Sequence, residues 1–207
     1  PTEIFFSTTL SDYNGFEVSC LGASDGIIDF GTPSGGSGAG YEYSIDSGLV
    51  YSSTQQSYPN LSADTFYLSV QDGSGCSTDT TIELFAPGQF TITASVSSDY
   101  NGEAISCKDS CDGEITVTSA NGVNIVNYEF NNTGGYSATN LWDSLCAGSY
   151  DINALDENGC TADAIGFTVS APGALQVTSS STEEFCNHMD GIAEVLSVSG
   201  GTGSPIY

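Results

Sequence analysis

Positive charge is almost missing from this chain. Its 207 residues hold one lysine, Lys108, no arginine and one histidine, His188, against 26 aspartates and glutamates, a formal net charge of −25. Phosphate contacts need Lys and Arg, so most nucleic-acid and anionic-membrane readings are ruled out, and no nucleic-acid partner is expected. The same shortage removes most side chains used in general acid–base and nucleophilic chemistry, and the chain reads as non-enzymatic. Carboxylates in pairs, as in glycosidases, are available by residue type, but such a site recurring in every small repeat would be unusual. Long apolar runs are also absent. No stretch approaches the roughly 20 residues that cross a bilayer, and no signal peptide is visible. Helical periodicity is scarce: no window keeps apolar residues at i, i+3, i+4 and i+7 through three turns.

What the chain does have is repetition. Ser-Asp-Tyr-Asn-Gly at 11–15 returns at 98–102. Cys20 maps onto Cys107, and Asp25-Gly26 onto Asp112-Gly113, each 87 residues on. Gly75-Cys76 maps onto Gly159-Cys160, and Ala86-Pro87 onto Ala171-Pro172. A third copy opens with Cys186, Asp190-Gly191 and Gly200-Gly201. A period near 85 is too long for small solenoid units and fits a string of whole domains. The expected limits are 1–86, 87–172 and 173–207, the last a truncated copy. The chain then reads as an internal fragment of a longer secreted protein.

Short β-branched and aromatic runs separated by Gly, Asn, Asp and Ser predict strands. In the first copy they are 4–10, 16–19, 26–30, 41–46, 49–53, 65–72 and 78–85. In the second they are 90–96, 104–106, 113–119, 127–130, 149–156 and 162–170. Phe66, Leu68 and Val70 alternate with Tyr67, Ser69 and Gln71, the period-2 pattern of a half-buried strand. About seven short strands in about 85 residues predict an all-β fold: tandem immunoglobulin-like antiparallel β-sandwich repeats, stapled by disulfides. Asn14-Gly15, Asn101-Gly102, Asp25-Gly26, Asp112-Gly113 and Asn158-Gly159 read as turns tolerant of positive φ. The Ala-Pro pairs end one sandwich and begin the next with little slack, favouring a stiff rod.

Seven cysteines at regular positions indicate an oxidising, extracellular setting. Cys20 and Cys76 are the only cysteines of the first copy, so Cys20–Cys76 and its counterpart Cys107–Cys160 are the expected bridges. Cys111 and Cys146 replace Ser24 and Ser62 together, which predicts Cys111–Cys146. Cys186 is left unpaired in this fragment, its partner expected beyond Tyr207. Cys107 and Cys111 have a C-x3-C spacing that can ligate zinc, but the first copy lacks the pair, and no metal site or cofactor is expected from it.

The Asp-Tyr-Asn-Gly stretch is an insertion carried by the first two copies. Asp12, Asn14 and Glu17, or Asp99, Asn101 and Glu103, are candidate calcium ligands. The competing reading is a tight Asn-Gly hairpin. Tyr41, Tyr43, Tyr51, Tyr58, Tyr67, Tyr128, Tyr136 and Tyr150 offer either strand packing or a face for stacking on extracellular polysaccharide. Trp142, near Cys146, is expected to cover the second disulfide.

The ordered pattern resembles the SprB repeat of very large surface adhesins of gliding Bacteroidetes. It consists of Cys20…Asp25-Gly26, Gly35-Gly36…Tyr41, Leu61…Tyr67 and Asp72-Gly73-Ser74-Gly75-Cys76-Ser77. It recurs as Cys107…Asp112-Gly113, Leu145…Tyr150 and Asp156-Glu157-Asn158-Gly159-Cys160-Thr161, and again in Gly200-Gly201-Thr202-Gly203-Ser204-Pro205-Ile206-Tyr207. The resemblance implies type IX secretion, display on the outer cell surface, no cofactor, and a role in attachment, gliding motility or filament formation. It also implies O-glycosylation at Asp-(Ser/Thr) motifs, with Thr80 and Ser144 as candidates. The expected partners are neighbouring repeats of the same chain, the type IX secretion machinery and an extracellular polysaccharide or surface. The expected function is a non-catalytic stalk or filament segment of an adhesin. The alternatives are a self-assembling extracellular fibre and a module that binds polysaccharide directly.

Overall fold

The computed structural model of the chain describes residues 2–124, 126–186 and 189–204, with Ala164 and Ile165 described by backbone alone. The Ser204 end of the third Gly-Gly motif is described; its Pro205, Ile206 and Tyr207 lie outside the described residues, as does His188. Among the described residues there are sixteen strands and no helix. The first copy contributes β1 (Thr2–Phe5), β2 (Thr8–Leu10), β3 (Ser24–Phe30), β4 (Ser34–Gly36), β5 (Glu42–Ser44), β6 (Ser57–Ser62), β7 (Thr65–Gln71) and β8 (Ser77–Glu83). The second contributes β9 (Thr91–Val96), β10 (Gly113–Ala120), β11 (Asn127–Phe130), β12 (Leu141–Leu145), β13 (Gly148–Leu155) and β14 (Thr161–Val169). The third contributes β15 (Gln176–Thr182) and β16 (Ile192–Ser199).

Contacts gather these elements into two compact units. One comprises Pro1–Thr91, Ala120–Val126 and Leu155–Thr161; the other comprises Ile92–Ser119, Asn127–Ala154 and Ala162–Tyr207. These bounds differ from the limits 1–86, 87–172 and 173–207 read from the repeat, because two loops of the second copy fold with the first copy. Covalent and polar links cause this: Cys160 is bonded to Cys20, and Val123 N donates to Asp156 Oδ2, tying the 120–126 loop to the one that carries Cys160.

The first unit is a β-sandwich. Its two three-stranded sheets run in the orders β2-β3-β6 and β5-β7-β8, and β1 pairs with β4 beside them. The named strand pairs are antiparallel. Ile28 and Phe30 from β3 meet Leu68 and Val70 from β7, with Ile4, Val18, Tyr43 and Leu84 closing one buried cluster. Phe30 sits at its aromatic centre, 5.6 Å from Phe6, 5.2 Å from Tyr43 and 5.8 Å from Tyr58, ring centre to ring centre. Along β7 the expected alternation holds for Phe66 to Leu68 and at Val70, but Ser69 is buried as well. Its hydroxyl hydrogen-bonds the Tyr51 hydroxyl at 2.7 Å, so a polar residue is tolerated inside.

In the second unit the same plan returns, with sheets β12-β10-β9 and β11-β13-β14. Ile105, Ile115, Val117, Ile152, Ala154 and Val169 are buried there. β15 and β16 form a hairpin paired from Gln176↔Ser199 to Thr182↔Ile192. Most of its apolar side chains are exposed: Val195 is 38% exposed, whereas Val117, its equivalent in the second copy, is fully buried.

Three departures from the sequence reading have local causes. Segments 16–19 and 104–106 are bends rather than strands, although Val18 and Ile105 are fully buried. Glu17 N and Val18 N both donate to the Phe85 carbonyl, a single acceptor that cannot build a ladder. Segment 49–53 is no strand, and Leu49 and Val50 point to solvent. β6 and β12 are absent from the sequence reading, because β6 carries Pro59 and each is interrupted by a positive φ, at Asn60 and at Ser144. β6 lies at a sheet edge, where proline's missing N–H is harmless. Their register shifts fall opposite Gly26 and Gly113, which breaks the alternation that periodicity detects.

Those two glycines also correct the turn assignment. Asn14-Gly15 and Asn101-Gly102 have positive φ as expected, at 55° and 93° and at 55° and 92°. Gly26 and Gly113 lie in strands instead, where a Cβ would meet a facing carbonyl oxygen, that of Leu61 and of Leu145 respectively, at 2.9 Å.

Candidate functional site

The features shared by the copies are the candidates for function. The Asp-Tyr-Asn-Gly insertion is a two-residue hairpin. Tyr13 N donates to Phe16 O, and Tyr100 N donates to Glu103 O. Asp12 Oδ1 accepts from Gly15 N, and Asp99 Oδ1 accepts from Gly102 N, each at 2.7 Å. Ser11 and Ser98 tie the two hairpins down in matching ways, donating to the carbonyls of Glu17 and Ala104. The Asp12 and Asp99 carboxylates are thus engaged with their own turns, whereas Glu17 accepts from Phe85 N and Glu103 from the Ser170 hydroxyl. Among the described residues no three His, Cys, Asp or Glu side chains gather as metal ligands.

The Asp-x-x-Gly-Cys motif is a carboxylate clasp. Asp72 Oδ1 accepts from Ser74 N and Cys76 N, at 2.9 and 3.0 Å, and Oδ2 accepts from Ser37 N at 2.7 Å. Asp156 repeats this with Asn158 N, Cys160 N and Val123 N. Each Asp N also donates to the carbonyl of its cysteine. The clasp presents the cysteine at a turn and fixes that turn to a second loop. Its signal, an Asp four residues before each Gly-Cys cysteine, was legible, but its role was not.

The Ser37 N–H, helped by those of Cys76 and Ser74, holds the Asp72 carboxyl below the usual carboxylate range against the opposing effect of burial. Ser106, through its hydroxyl and backbone N–H, does the same for Asp112. A depressed folded pKa gives stability that is present above the unfolded value of about 3.9 and is lost as pH falls through the folded value. Protonation also relieves repulsion among 26 carboxylates, which acts in the opposite sense. The difference between wild type and Asp72→Asn isolates the clasp. Asp72→Asn is expected to destabilise the chain at pH 7, with the difference shrinking as pH is lowered below about 4 in urea unfolding.

The cysteines are not paired as the repeat predicted. Cys20 is bonded to Cys160, with Cα atoms 5.6 Å apart and 140 residues between them in sequence. Cys111 is bonded to Cys146. Cys20–Cys76 and Cys107–Cys160 are therefore corrected: Cys76 and Cys107 are exposed thiols, as is Cys186. The repeat symmetry satisfied either a bond within a copy or a bond to the next copy, and proximity along the chain favoured the wrong one. The clasp explains the outcome. It holds Cys160 on a loop that reaches the Cys20 bend: Asn158 Nδ2 donates to Tyr13 O and Ser19 O, at 3.0 and 3.2 Å, and Asn14 Nδ2 donates to Asn158 Oδ1 at 2.6 Å. Cys160 is buried in this contact.

Of the tyrosines singled out for stacking, Tyr67 and Tyr136 are the exposed ones. Tyr41, Tyr58 and Tyr150 donate to backbone carbonyls, of Gly35, Tyr43 and Cys146. Trp142 does not cover the Cys111–Cys146 bridge. Cys146 is exposed, and the indole stacks on Phe130 at 5.0 Å, whose other neighbour is Tyr150 at 5.1 Å. The positive φ at Ser144 redirects the chain between Trp142 and Cys146, which regular alternation would have put on one face. Thr80, on edge strand β8, and Ser144 are both exposed, as a glycosylation site requires.

No protein-family model matches the sequence, and no curated protein matches it. Among solved structures it is similar to a C-terminal 282-residue fragment of intimin, in complex with the translocated intimin receptor intimin-binding domain. The TM-score is 0.44 at 10% identity, over 84% of this chain and 66% of that one. It is also similar to fibronectin(III)-like modules of Clostridium thermocellum CbhA, with a TM-score of 0.27 at 10% identity, over 78% of this chain and 94% of that one. The chain thus spans just under two thirds of the intimin fragment. Likeness at this level carries neither a family nor a function to this chain.

Proposed function

We propose that this chain is a non-catalytic, load-bearing repeat segment of a secreted cell-surface adhesin. The observation that carries the reading is the Cys20–Cys160 bond, which joins the opening cysteine of one copy to the Gly-Cys loop of the next across 140 residues. Tension applied at the two chain ends passes through this bond and bypasses the strands between its cysteines. A catalytic or ligand-binding module has no need of such a shunt. Disulfides belong to an oxidising, extracellular compartment, and the surplus of carboxylates keeps neighbouring chains apart. The resemblance to SprB repeats extends the proposal to type IX export and a role in gliding or attachment.

Single-molecule stretching tests the load-bearing role. A residue adds at most about 3.6 Å when extended, so reduction should lengthen the fully stretched chain by on the order of 500 Å as the 140-residue span is released. Equal lengths before and after reduction would remove the shunt and the proposal with it.

A further inference from the structure

The end of the second copy repeats the surroundings of the Cys20–Cys160 bond, with one component missing. Cys107 stands where Cys20 does, Ser106 where Ser19 does, and Gly173-Ala174-Leu175 where Gly88-Gln89-Phe90 do. In the first case Cys20 is half-buried, with Gly88, Phe90 and the Gly159–Cys160 loop around it. In the second, Cys107 is exposed at a mainly apolar cleft of about 450 Å³, lined also by Gly173, Leu175, Val177, Val195 and Val198. The third copy is already engaged there. Thr202 Oγ1 donates to Ser106 O at 3.2 Å, as Asn158 Nδ2 donates to Ser19 O at 3.2 Å. What the cleft lacks is a Gly-Cys loop.

We infer that Cys107 is the site of a second copy-to-copy crosslink, and that its occupant is the Asp-x-x-Gly-Cys loop of the third copy wherever that copy runs to completion. By the same rule Cys76, already presented by the Asp72 clasp, is matched to the opening cysteine of any copy that precedes its own. Cys186, the third opening cysteine, is matched to the copy after its own. The exposed thiols are thus open links of a relay in which every copy is bonded to the next.

The chemistry is thiol–disulfide exchange with a small disulfide such as oxidised glutathione. The Cys107 thiolate attacks one sulfur, giving a mixed disulfide and releasing one glutathione thiolate. The incoming Gly-Cys thiolate then attacks the Cys107 sulfur and expels the second. Two protein thiols are oxidised to one disulfide, and one glutathione disulfide is reduced to two thiols.

The inference rests on the repeat symmetry and not on the adhesin reading, so stretching of the present chain and the following experiment fail separately. Residues 42–86 are appended after Tyr207, because Tyr41 and Tyr207 close equivalent Gly-Gly motifs and this segment brings a single cysteine, a copy of Cys76. After refolding in a glutathione buffer, unreduced Glu-C digests are mapped by mass spectrometry. The expected map joins the appended cysteine to Cys107 and keeps Cys20–Cys160 and Cys111–Cys146. A bond from the appended cysteine to Cys186, or a free appended thiol beside an intact Cys20–Cys160, overturns the relay. A measurement on the unaltered chain guards against misfolding of the extension. A peptide of sequence Leu-Asp-Glu-Asn-Gly-Cys-Thr-Ala, supplied as its glutathione mixed disulfide, is expected to exchange onto Cys107 at least tenfold more than onto Cys76, an exposed thiol that the relay matches to an opening cysteine and not to a Gly-Cys loop. Equal exchange at the two counts against the relay.

Discussion

Cys20→Ser is expected to lower stability by about 2–5 kcal/mol, and Cys160→Ser by the same amount, while Cys76→Ser changes little. The chain-entropy model puts the closure of a 140-residue loop at about 5 kcal/mol and that of the 35-residue Cys111–Cys146 loop at about 4. Cys20→Ser should therefore cost more than Cys111→Ser. For a chain of this length each kcal/mol corresponds to about 2–4 °C in Tm, so the Cys20 and Cys160 variants should melt up to about 10–20 °C below wild type. The double variant should match either single one, because removing one sulfur already opens the bridge. Cys76 is the discriminating control: a bond within the first copy would make Cys76→Ser as damaging as Cys20→Ser, whereas an exposed thiol predicts a change near zero. Calorimetry of the five variants under non-reducing conditions reads the outcome.

Gly26→Ala and Gly113→Ala should each destabilise by about 1–3 kcal/mol, through overpacking. A methyl at Gly26 would stand 2.9 Å from the Leu61 carbonyl oxygen, 3.0 Å from Leu84 and 3.1 Å from Val18. At Gly113 the neighbours are the Leu145 carbonyl oxygen at 2.9 Å, Val169 at 3.0 Å and Ile105 at 3.1 Å. The two sites face equivalent residues at the same distances, so their costs should agree closely. The facing oxygen belongs to the backbone of a paired strand and cannot move without disturbing the ladder. Gly135 is the control, with negative φ and open space where a methyl group would stand, nothing lying within 4 Å; Gly135→Ala should be neutral or slightly stabilising, by up to about 1 kcal/mol. Urea unfolding of the three variants decides the matter. A neutral Gly26→Ala would contradict the close approach of the Leu61 carbonyl oxygen.

These two results mark the boundary of what the sequence made legible. The strands with regular alternation, β3, β7, β8, β10 and β13, could be placed from period-2 patterns, because a sheet buried on one face imposes that period. β6 and β12 were hidden because Asn60 and Ser144 turn the chain in mid-strand, and a broken period leaves no trace in composition. The Asn-Gly hairpins were legible because positive φ at two successive residues restricts the residue types so strongly. The Asp-Gly pairs share the same letters for a different reason. There the glycine serves close packing and the aspartate holds a backbone N–H, that of Ser19 or of Ser106. The cysteine partners were under-determined for a geometric reason. A translational repeat fixes which positions are equivalent, but it leaves open whether a bond closes within one copy or reaches the next. Only the placement of the Asp156 clasp beside the Cys20 bend decides it.

The measurement that bears most directly on this account is a disulfide map of the oxidised 207-residue chain, cut with Glu-C without reduction. The account predicts two cross-linked peptide pairs, Cys20 with Cys160 and Cys111 with Cys146, with Cys76 recovered as an alkylated thiol and Cys107 alkylated on the peptide that carries Cys111. Peptide pairs holding Cys20 with Cys76 and Cys107 with Cys160 would contradict it.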